Sequence, residues 1–195
     1  YIAVVTNITP NHLDRHYRMK YYAYLKEKTL FNQNEDDYAV LNFDDDIVKG
    51  FCKDIKSKIL YFSCKEKVDG AYLKEGKIYF KDEFVMNAND LSLKHPHNIM
   101  NALSAICVCK ILGATNKDVI NALSDFKGEP HRIEYVKSLG NIAFFDDSKS
   151  TNTASTSACI KSFKESMVLL LGGKSKGESY DELIEFIKRS NVRQI

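Results

Sequence analysis

Short apolar segments alternate with longer amphipathic segments along the chain, and this alternation limits the possible folds more than any other feature. Residues 1–7 (YIAVVTN) and 38–42 (YAVLN) have the length and composition of buried strands. Residues 97–112 repeat apolar side chains three and four positions apart, as an amphipathic helix does. A succession of strand, helix, strand and helix is typical of a parallel sheet with helices on both faces. We therefore predict an α/β fold.

Several local patterns predict individual elements. Residues 68–80 (VDGAYLKEGKIYF) alternate around glycines, which predicts a small antiparallel hairpin. Residues 21–31 and 46–55 are predicted helices. Thr115 stands directly before another predicted helix, and Asp118 follows three residues later. This spacing predicts an acidic variant of the capping box.

The sequence KGEPHR, at residues 127–132, is the best candidate for a domain boundary. Gly128 frees the backbone, and Pro130 disfavours helix at the residue before it. We expect two domains, residues 1–129 and residues 130–195. The first predicted strand has no initiator methionine before it, and the last residues look like a strand cut short. We therefore also expect the chain to be a fragment of a longer protein.

Charge and cysteine content argue against several classes of function. The 28 basic and 26 acidic side chains nearly cancel, and no dense lysine or arginine run suggests a nucleic-acid or lipid-headgroup surface. The five cysteines lack CxxC spacing, so neither a disulfide framework nor a zinc site is predicted. Apolar runs stay well short of the length that spans a membrane. We expect a cytoplasmic protein without nucleic-acid or membrane partners.

Polar groups are concentrated directly after two predicted strands. Residues 146–151 (DDSKST) follow one strand, and residues 172–176 (GGKSK) follow the next. In open parallel sheets, ligands bind at the carboxyl ends of strands, where helix N-termini offer N–H groups to anions. If the two strands are neighbours, their ends suit a nucleotide together with an anionic substrate. Either stretch alone is more commonly a helix cap beside a solvated loop, and the chain has no GxxxxGK[ST] phosphate loop.

Five motifs occur in a fixed order along the chain. They are TNITPNHLDRH (6–16), HNIMNALSA (97–105), GEPHRIEYV (128–136), DDSKSTNTAST (146–156) and LLLGGKSKG (169–177). The series resembles the Mur ligases of bacterial cell-wall synthesis, and most closely the branch that adds D-glutamate. The resemblance implies that the first predicted domain is the C-terminal part of a P-loop-type central ATP-binding domain. The second would be the first part of a Rossmann-like C-terminal domain that binds the amino acid.

The family resemblance also implies an activity. ATP would phosphorylate the carboxylate of UDP-N-acetylmuramoyl-L-alanine to an acyl phosphate, and the amine of D-glutamate would then attack it and release phosphate. A triphosphate close to a carboxylate needs cations, so ATP and Mg²⁺ are the implied cofactors. The UDP-sugar domain, the P-loop and the catalytic glutamate of the family would precede Tyr1. We therefore expect the fragment alone to be inactive or nearly so.

Site residues in the first predicted domain follow from the resemblance. His12 matches a histidine beside magnesium and substrate. Lys26 matches a lysine that carbon dioxide converts to a carbamate, an anionic oxygen ligand for magnesium, and Lys28 is its rival if the register slips. Asn98 and Asn101 lie at i and i+3, so both amides can face one ligand, and they match adenine-binding positions.

In the second predicted domain, Arg132 matches an arginine that reaches the nucleotide, and His131 lies next to the substrate path. A planar guanidinium can hold phosphate with two parallel hydrogen bonds. Asp147 matches a residue that binds the ribose hydroxyls, and Lys149 would face the phosphoryl or acyl-phosphate region.

Thr151 and Lys176 match the residues that bind the carboxylates of incoming D-glutamate. Two alternatives stay open. One is another Mur-type ligase or a folylpolyglutamate-type ligase, although sibling ligases more often carry a DYAHNP-like segment where this chain has DDSKSTN. The other is a nucleotide-binding module that kept the fold without turnover.

Overall fold

The computed structural model describes residues 1–9, 18–53, 55–174 and 179–195, without the side chains of residues 52 and 53. The described residues fall into two compact units. The first contains Tyr1–Ile8 and Lys20–Lys127, and the second contains Gly128–Ile195 and the described residues of Thr9–Met19. Among the described residues, no helix combines the length and the apolar character needed to cross a membrane.

The described part of the first unit contains a six-stranded sheet. Its strands are hydrogen-bonded in chain order, β1 (Ile2–Val5), β2 (Tyr38–Asn42), β3 (Lys58–Ser63), β4 (Gly70–Lys74), β5 (Lys77–Phe80) and β6 (Glu83–Asn87). The strands from β1 to β4 are parallel, and β5 and β6 continue the sheet in antiparallel order. This confirms the α/β prediction and the hairpin over residues 68–80, whereas β6 was not predicted.

The helices of this unit are α1 (Met19–Glu27), α2 (Asp46–Lys49), α3 (Pro96–Ile111) and α4 (Asn116–Asp125), with 3-10 turns at Lys28–Leu30, Gly50–Lys53 and Ala88–Asp90. The predicted capping box at α4 is confirmed. The Asp118 N–H donates to Thr115 Oγ1 at 3.2 Å, and the Thr115 N–H donates to the Asp118 carboxylate at 3.0 Å. The predicted helices over 21–31 and 46–55 each end in a 3-10 turn rather than continuing as α-helix.

The core of the first unit lies between the sheet and α3, which packs against β2, β3, β4 and β5. Its largest fully buried side chains include Phe62 and Ile78 from the sheet and Leu103 and Ile106 from the helix. The prediction that residues 1–7 form a buried strand is wrong in one respect. Val4 is 42% exposed, because in the described residues β1 pairs with β2 alone and forms an edge of the sheet.

The described part of the second unit contains two small sheets and two helices. Strands β7 (Glu134–Leu139) and β8 (Ile142–Asp146) form an antiparallel hairpin, and β9 (Met167–Val168) pairs in parallel with β10 (Val192–Gln194). Helices α5 (Thr153–Lys161) and α6 (Asp181–Lys188) pack together around buried Ile160, Leu183 and Ile187.

The prediction that the strands before residues 146–151 and 172–176 are neighbours is not met in the described residues. Strand β8 pairs with β7, and β9 pairs with β10, so the two strands belong to separate sheets. The short turn at Gly140 and Asn141 folds β8 back onto β7 as an antiparallel hairpin, and no described strand pairs with the other edge of β8. The division into domains at residues 129 and 130 stays a prediction, although the two compact units separate between Lys127 and Gly128.

Candidate active site

The second unit holds the junction segment 131–133 against the carboxyl end of β8. The Lys149 N–H donates to the His131 carbonyl oxygen at 3.0 Å. The Ile133 N–H donates to Asp147 Oδ1 at 3.1 Å. His131, Asp147 and Lys149, three of the predicted site residues, therefore lie close together. Arg132 lies between His131 and Ile133, and these hydrogen bonds hold the backbone of both neighbours.

Asp147 is half-buried and is held by several contacts. Besides the Ile133 N–H, its carboxylate interacts with the Cys159 thiol of α5. Burial, followed by the Asp147 carboxylate, raises the pKa of Cys159 to about 12. The Ser150 N–H also donates to the Asp147 carbonyl oxygen at 2.8 Å. These contacts fix the Asp147 carboxylate at the strand end while part of it stays accessible.

Lys149 and Thr151 are exposed and lie just before the N-terminus of α5. That terminus has its own cap, because Asn152 Oδ1 accepts the Ser155 N–H at 2.8 Å and Ser155 Oγ accepts the Asn152 N–H at 3.3 Å. Since Asn152 caps the helix, Lys149 and Thr151 are not needed for that purpose. A helix N-terminus beside a lysine and a hydroxyl favours an anionic ligand.

His131 and Asp146 form a close polar contact at the same strand end. His131 Nδ1 lies 2.7 Å from Asp146 Oδ2. Hydrogen bonds from His131 and from the Ser148 N–H lower the pKa of Asp146 to about 2. The hydrogen bond to Asp146 and the charge of that carboxylate raise the pKa of His131 above its usual value. The ligand atoms of His131, Glu134 and Asp146 lie within 4.8 Å of one another, but hydrogen bonds inside this group already account for the arrangement, and we assign no metal to it.

In the first unit, Asn98 and Asn101 line a cavity of about 330 Å³ between α3, α4 and residues 91–93. Its wall is mainly apolar and includes Leu91, Ala102, Ile106, Val119, Leu123 and Phe126. Asn98 is half-buried and Asn101 is exposed, and the described residues provide no hydrogen-bond partner for either side-chain amide. An apolar slot with two available amides has the chemistry that a purine base needs.

Lys26 lies in the last turn of α1 and is exposed. Its Nζ lies 5.4 Å from the centre of the Tyr22 ring, and the described part of the chain gives it no ion-pair partner. Its rival Lys28 is also exposed. Two other predicted site residues, His12 and Lys176, lie outside the described residues.

The polar residues after β2 make contacts that were not predicted. Asn42 Nδ2 donates to the Thr6 carbonyl oxygen at 2.7 Å, and Asp45 Oδ2 accepts the Ile8 N–H at 2.8 Å. These two side chains hold the segment that follows β1. The signal was present in the sequence, since the run NFDDD comes directly after a predicted strand.

Asp146 was also given no role of its own. Its position next to Asp147 at the strand end was visible in the sequence. The partner of Asp146 could not be predicted, since His131 is 15 residues away along the chain.

Residues 1–109 match the family described as Mur ligase middle domain. The chain belongs to the Mur ligase family. The chain is 42% identical over 185 residues to UDP-N-acetylmuramoylalanine--D-glutamate ligase of Streptococcus equi subsp. zooepidemicus, which covers 94% of this chain and 41% of that protein. The ligase of the same name from Lactococcus lactis subsp. cremoris is 40% identical over 183 residues, covering 93% of this chain and 41% of that protein. The chain thus spans about two fifths of the length of these curated relatives.

Solved structures of Mur ligases share the fold. MurF ligase from Thermotoga maritima, solved in complex with ADP, matches with a TM-score of 0.76 at 19% identity, over 100% of this chain and 48% of that protein. MurF from Acinetobacter baumannii matches with a TM-score of 0.70 at 20% identity, over 86% of this chain and 38% of that protein. The predicted family and its mixed α/β architecture are therefore confirmed.

Proposed function

We propose that this Mur ligase chain is part of a cytoplasmic, ATP-dependent ligase that joins D-glutamate to UDP-N-acetylmuramoyl-L-alanine through an acyl phosphate. The observation that carries the proposal is the 42% identity, over 94% of the chain, to a ligase with that name. The geometry of the second unit supports it, since His131, Asp147 and Lys149 are hydrogen-bonded into one strand end.

Each unit contains side chains with the chemistry to bind part of a nucleotide. In the first unit, the Asn98 and Asn101 amides would bind adenine against the apolar wall of their cavity. In the second unit, the accessible part of the Asp147 carboxylate would accept hydrogen bonds from the ribose hydroxyls, and the Arg132 guanidinium would hold phosphate. Each of these side chains thus has the chemistry of the nucleotide part that we assign to it.

Acyl transfer would take place at the N-terminus of α5. The Lys149 ammonium would stabilise the negative charge of the acyl phosphate and of the tetrahedral intermediate. Thr151 and Lys176 would bind the carboxylates of D-glutamate and so direct its amine toward the acyl carbon. His131 would line the path of the UDP-sugar substrate.

Magnesium would be held by His12 and by Lys26 in its carbamate form. Lys26 fits this role in two respects, because its amine is exposed to carbon dioxide and no described carboxylate competes for it. The carbamate would supply the oxygen ligand that Mg²⁺ prefers, and the bound ion would neutralise phosphate charge.

Phosphate release from a full-length ligase that contains this sequence tests the proposal. We expect release from ATP only when UDP-N-acetylmuramoyl-L-alanine and D-glutamate are both present. Release with a different amino acid in place of D-glutamate would favour another Mur-type ligase. ATP binding without release under any of these conditions would favour a non-catalytic nucleotide-binding module.

A further inference from the structure

The segment that carries Arg132 has a strained backbone. His131 has a φ of 64° and Ile133 has a φ of 48°, both in the left-handed region. Residues other than glycine seldom adopt this conformation, and a β-branched residue such as Ile133 does so least readily. Such a backbone persists only where the surrounding contacts fix it. The contacts of this segment therefore determine the position of the Arg132 backbone, from which its side chain extends.

Most of those contacts come from a short stretch at the end of β8, and Glu134 and Glu129 supply the others. The His131 N–H donates to Glu134 Oε2 at 2.7 Å, and the Arg132 N–H donates to the Glu129 carbonyl oxygen at 3.2 Å. The Lys149 N–H donates to the His131 carbonyl oxygen, and the Ile133 N–H donates to the Asp147 carboxylate. Asp146 contacts the side chain of His131, since its Oδ2 lies 2.7 Å from His131 Nδ1. The same carboxylate also accepts the Ser148 N–H through Oδ1 at 2.9 Å. Asp146 thus connects the strained segment to the turn that precedes Lys149.

We propose that Asp146 is a positioning residue of the ligase, whose contact with His131 holds residues 131–133 so that the backbone of Arg132 is fixed relative to Asp147 and Lys149. This inference rests on the proposed function. Asp146 itself touches neither nucleotide nor amino acid in this account. It acts through His131, and its effect is to place the nucleotide-binding side chains beside the side chains that act on the acyl phosphate.

The carboxylates around His131 favour its protonated form. Asp146 and Glu134 raise the pKa of His131, and Lys149 opposes them more weakly. Since that pKa lies above the unfolded value, the contribution of the ion pair is complete below the unfolded pKa of histidine and is lost as pH rises through the folded pKa. The Asp146 carboxylate loses its charge only near its pKa of about 2. Between these limits the contact is an ion pair, and at higher pH it is a hydrogen bond from a neutral imidazole to the charged carboxylate.

Two variants of the full-length ligase separate positioning from folding. Asp146→Ala removes the acceptor, whereas Asp146→Asn keeps an oxygen that can accept from His131 but removes the charge. We expect Asp146→Ala to raise the KM for ATP by about tenfold or more, because a small misplacement of binding groups has large effects. Asp146→Asn should restore most of the affinity at a pH below the His131 pKa of that variant. Glu185→Gln, which removes another exposed, ion-paired carboxylate from the second unit, serves as the matched control and should leave KM unchanged.

The pH dependence provides a readout that a purely structural role would not change. In the unsubstituted ligase, the KM for ATP should rise as pH increases through the pKa of His131. In Asp146→Asn this rise should move to lower pH, because an amide does not stabilise the imidazolium. An NMR titration of the His131 ring in the same variants should show the same downward movement of its pKa.

Clear results would overturn the inference. If Asp146→Ala folds and has the same KM for ATP and the same pH dependence as the unsubstituted ligase, Asp146 does not position the site. If Asp146→Ala does not fold, the KM and pH profile of Asp146→Asn decide the question in the same way. If the unsubstituted ligase shows no turnover, the proposed function fails. The Kd for ATP of the same variants then tests the positioning role separately.

Discussion

Lys149 is the residue on which the proposed chemistry depends most. Its backbone is fixed by the His131 carbonyl oxygen, whereas its side chain is exposed in front of α5. We expect Lys149→Ala to lower phosphate release by about 100-fold or more, since it removes charge stabilisation of the developing intermediate. The thermal unfolding temperature should not change. Lys164→Ala, another exposed lysine of this unit, is the control, and equal turnover in the two variants would contradict the role of Lys149.

At Gly70, the backbone conformation and the neighbouring main chain require glycine. Its φ is 147°, and an added Cβ would lie 2.0 Å from the Tyr61 carbonyl oxygen of the neighbouring strand. Both the strained backbone and the clash with main-chain atoms lead us to expect that Gly70→Ala lowers the free energy of unfolding by about 2 kcal/mol or more.

Chemical denaturation with Gly50→Ala as the control measures the effect of Gly70→Ala. Gly50 has a φ of −72° and no atom within 4 Å of an added Cβ, so its replacement should have little effect. Equal stability of the two variants would show that β4 can move away from Tyr61 without lowering the free energy of unfolding.

At the scale of single elements, the N-terminus of α4 matters because this helix forms one wall of the apolar cavity. Thr115→Ala removes the side chain that accepts the Asp118 N–H, and we expect it to lower the free energy of unfolding by about 1 kcal/mol. Thr115→Ser keeps the hydroxyl and should restore most of that loss. Differential scanning calorimetry of the two variants measures the effect. An equal loss of stability in both variants would contradict a stabilising role of the Thr115 hydroxyl.

The cavity between α3 and α4 gives a second prediction at this scale. Asn101→Ala removes one of the two amides that line it, and we expect the Kd of a full-length ligase for ATP to increase about tenfold, as the loss of a hydrogen bond or two implies. Isothermal titration calorimetry checks this value. Asn121→Ala, at an exposed position of α4, is the control. An unchanged Kd in Asn101→Ala would contradict the proposal that this cavity binds the nucleotide.

Many of the elements could be predicted from local sequence. The strand over residues 38–42 and the capping box at Thr115 follow from patterns within a few residues, and both are observed as predicted. Strand β6 was missed because its apolar side chains occupy a short segment directly after the hairpin. The 3-10 turns after α1 and α2 were missed as well, since the apolar periodicity of a helix does not show how its last turn is hydrogen-bonded.

At the scale of the whole molecule, contacts between distant residues limited the prediction. Whether β8 pairs with β7 or with β9 depends on a turn at Gly140 and on long-range hydrogen bonds, which alternation of elements does not specify. The site residues themselves came from motif order rather than from periodicity. The structure adds contacts that motif order could not supply, above all the contact between Asp146 and His131.

The central claim for the whole molecule is that a ligase containing this chain activates a carboxylate as an acyl phosphate. The direct test uses UDP-N-acetylmuramoyl-L-alanine with ¹⁸O in its alanine carboxylate, together with ATP, D-glutamate and the full-length ligase. Because the acyl C–O bond breaks when the amine attacks, an ¹⁸O atom from the carboxylate should appear in the released phosphate by mass spectrometry. Phosphate that is released without ¹⁸O while the amide product forms would contradict the proposed acyl phosphate.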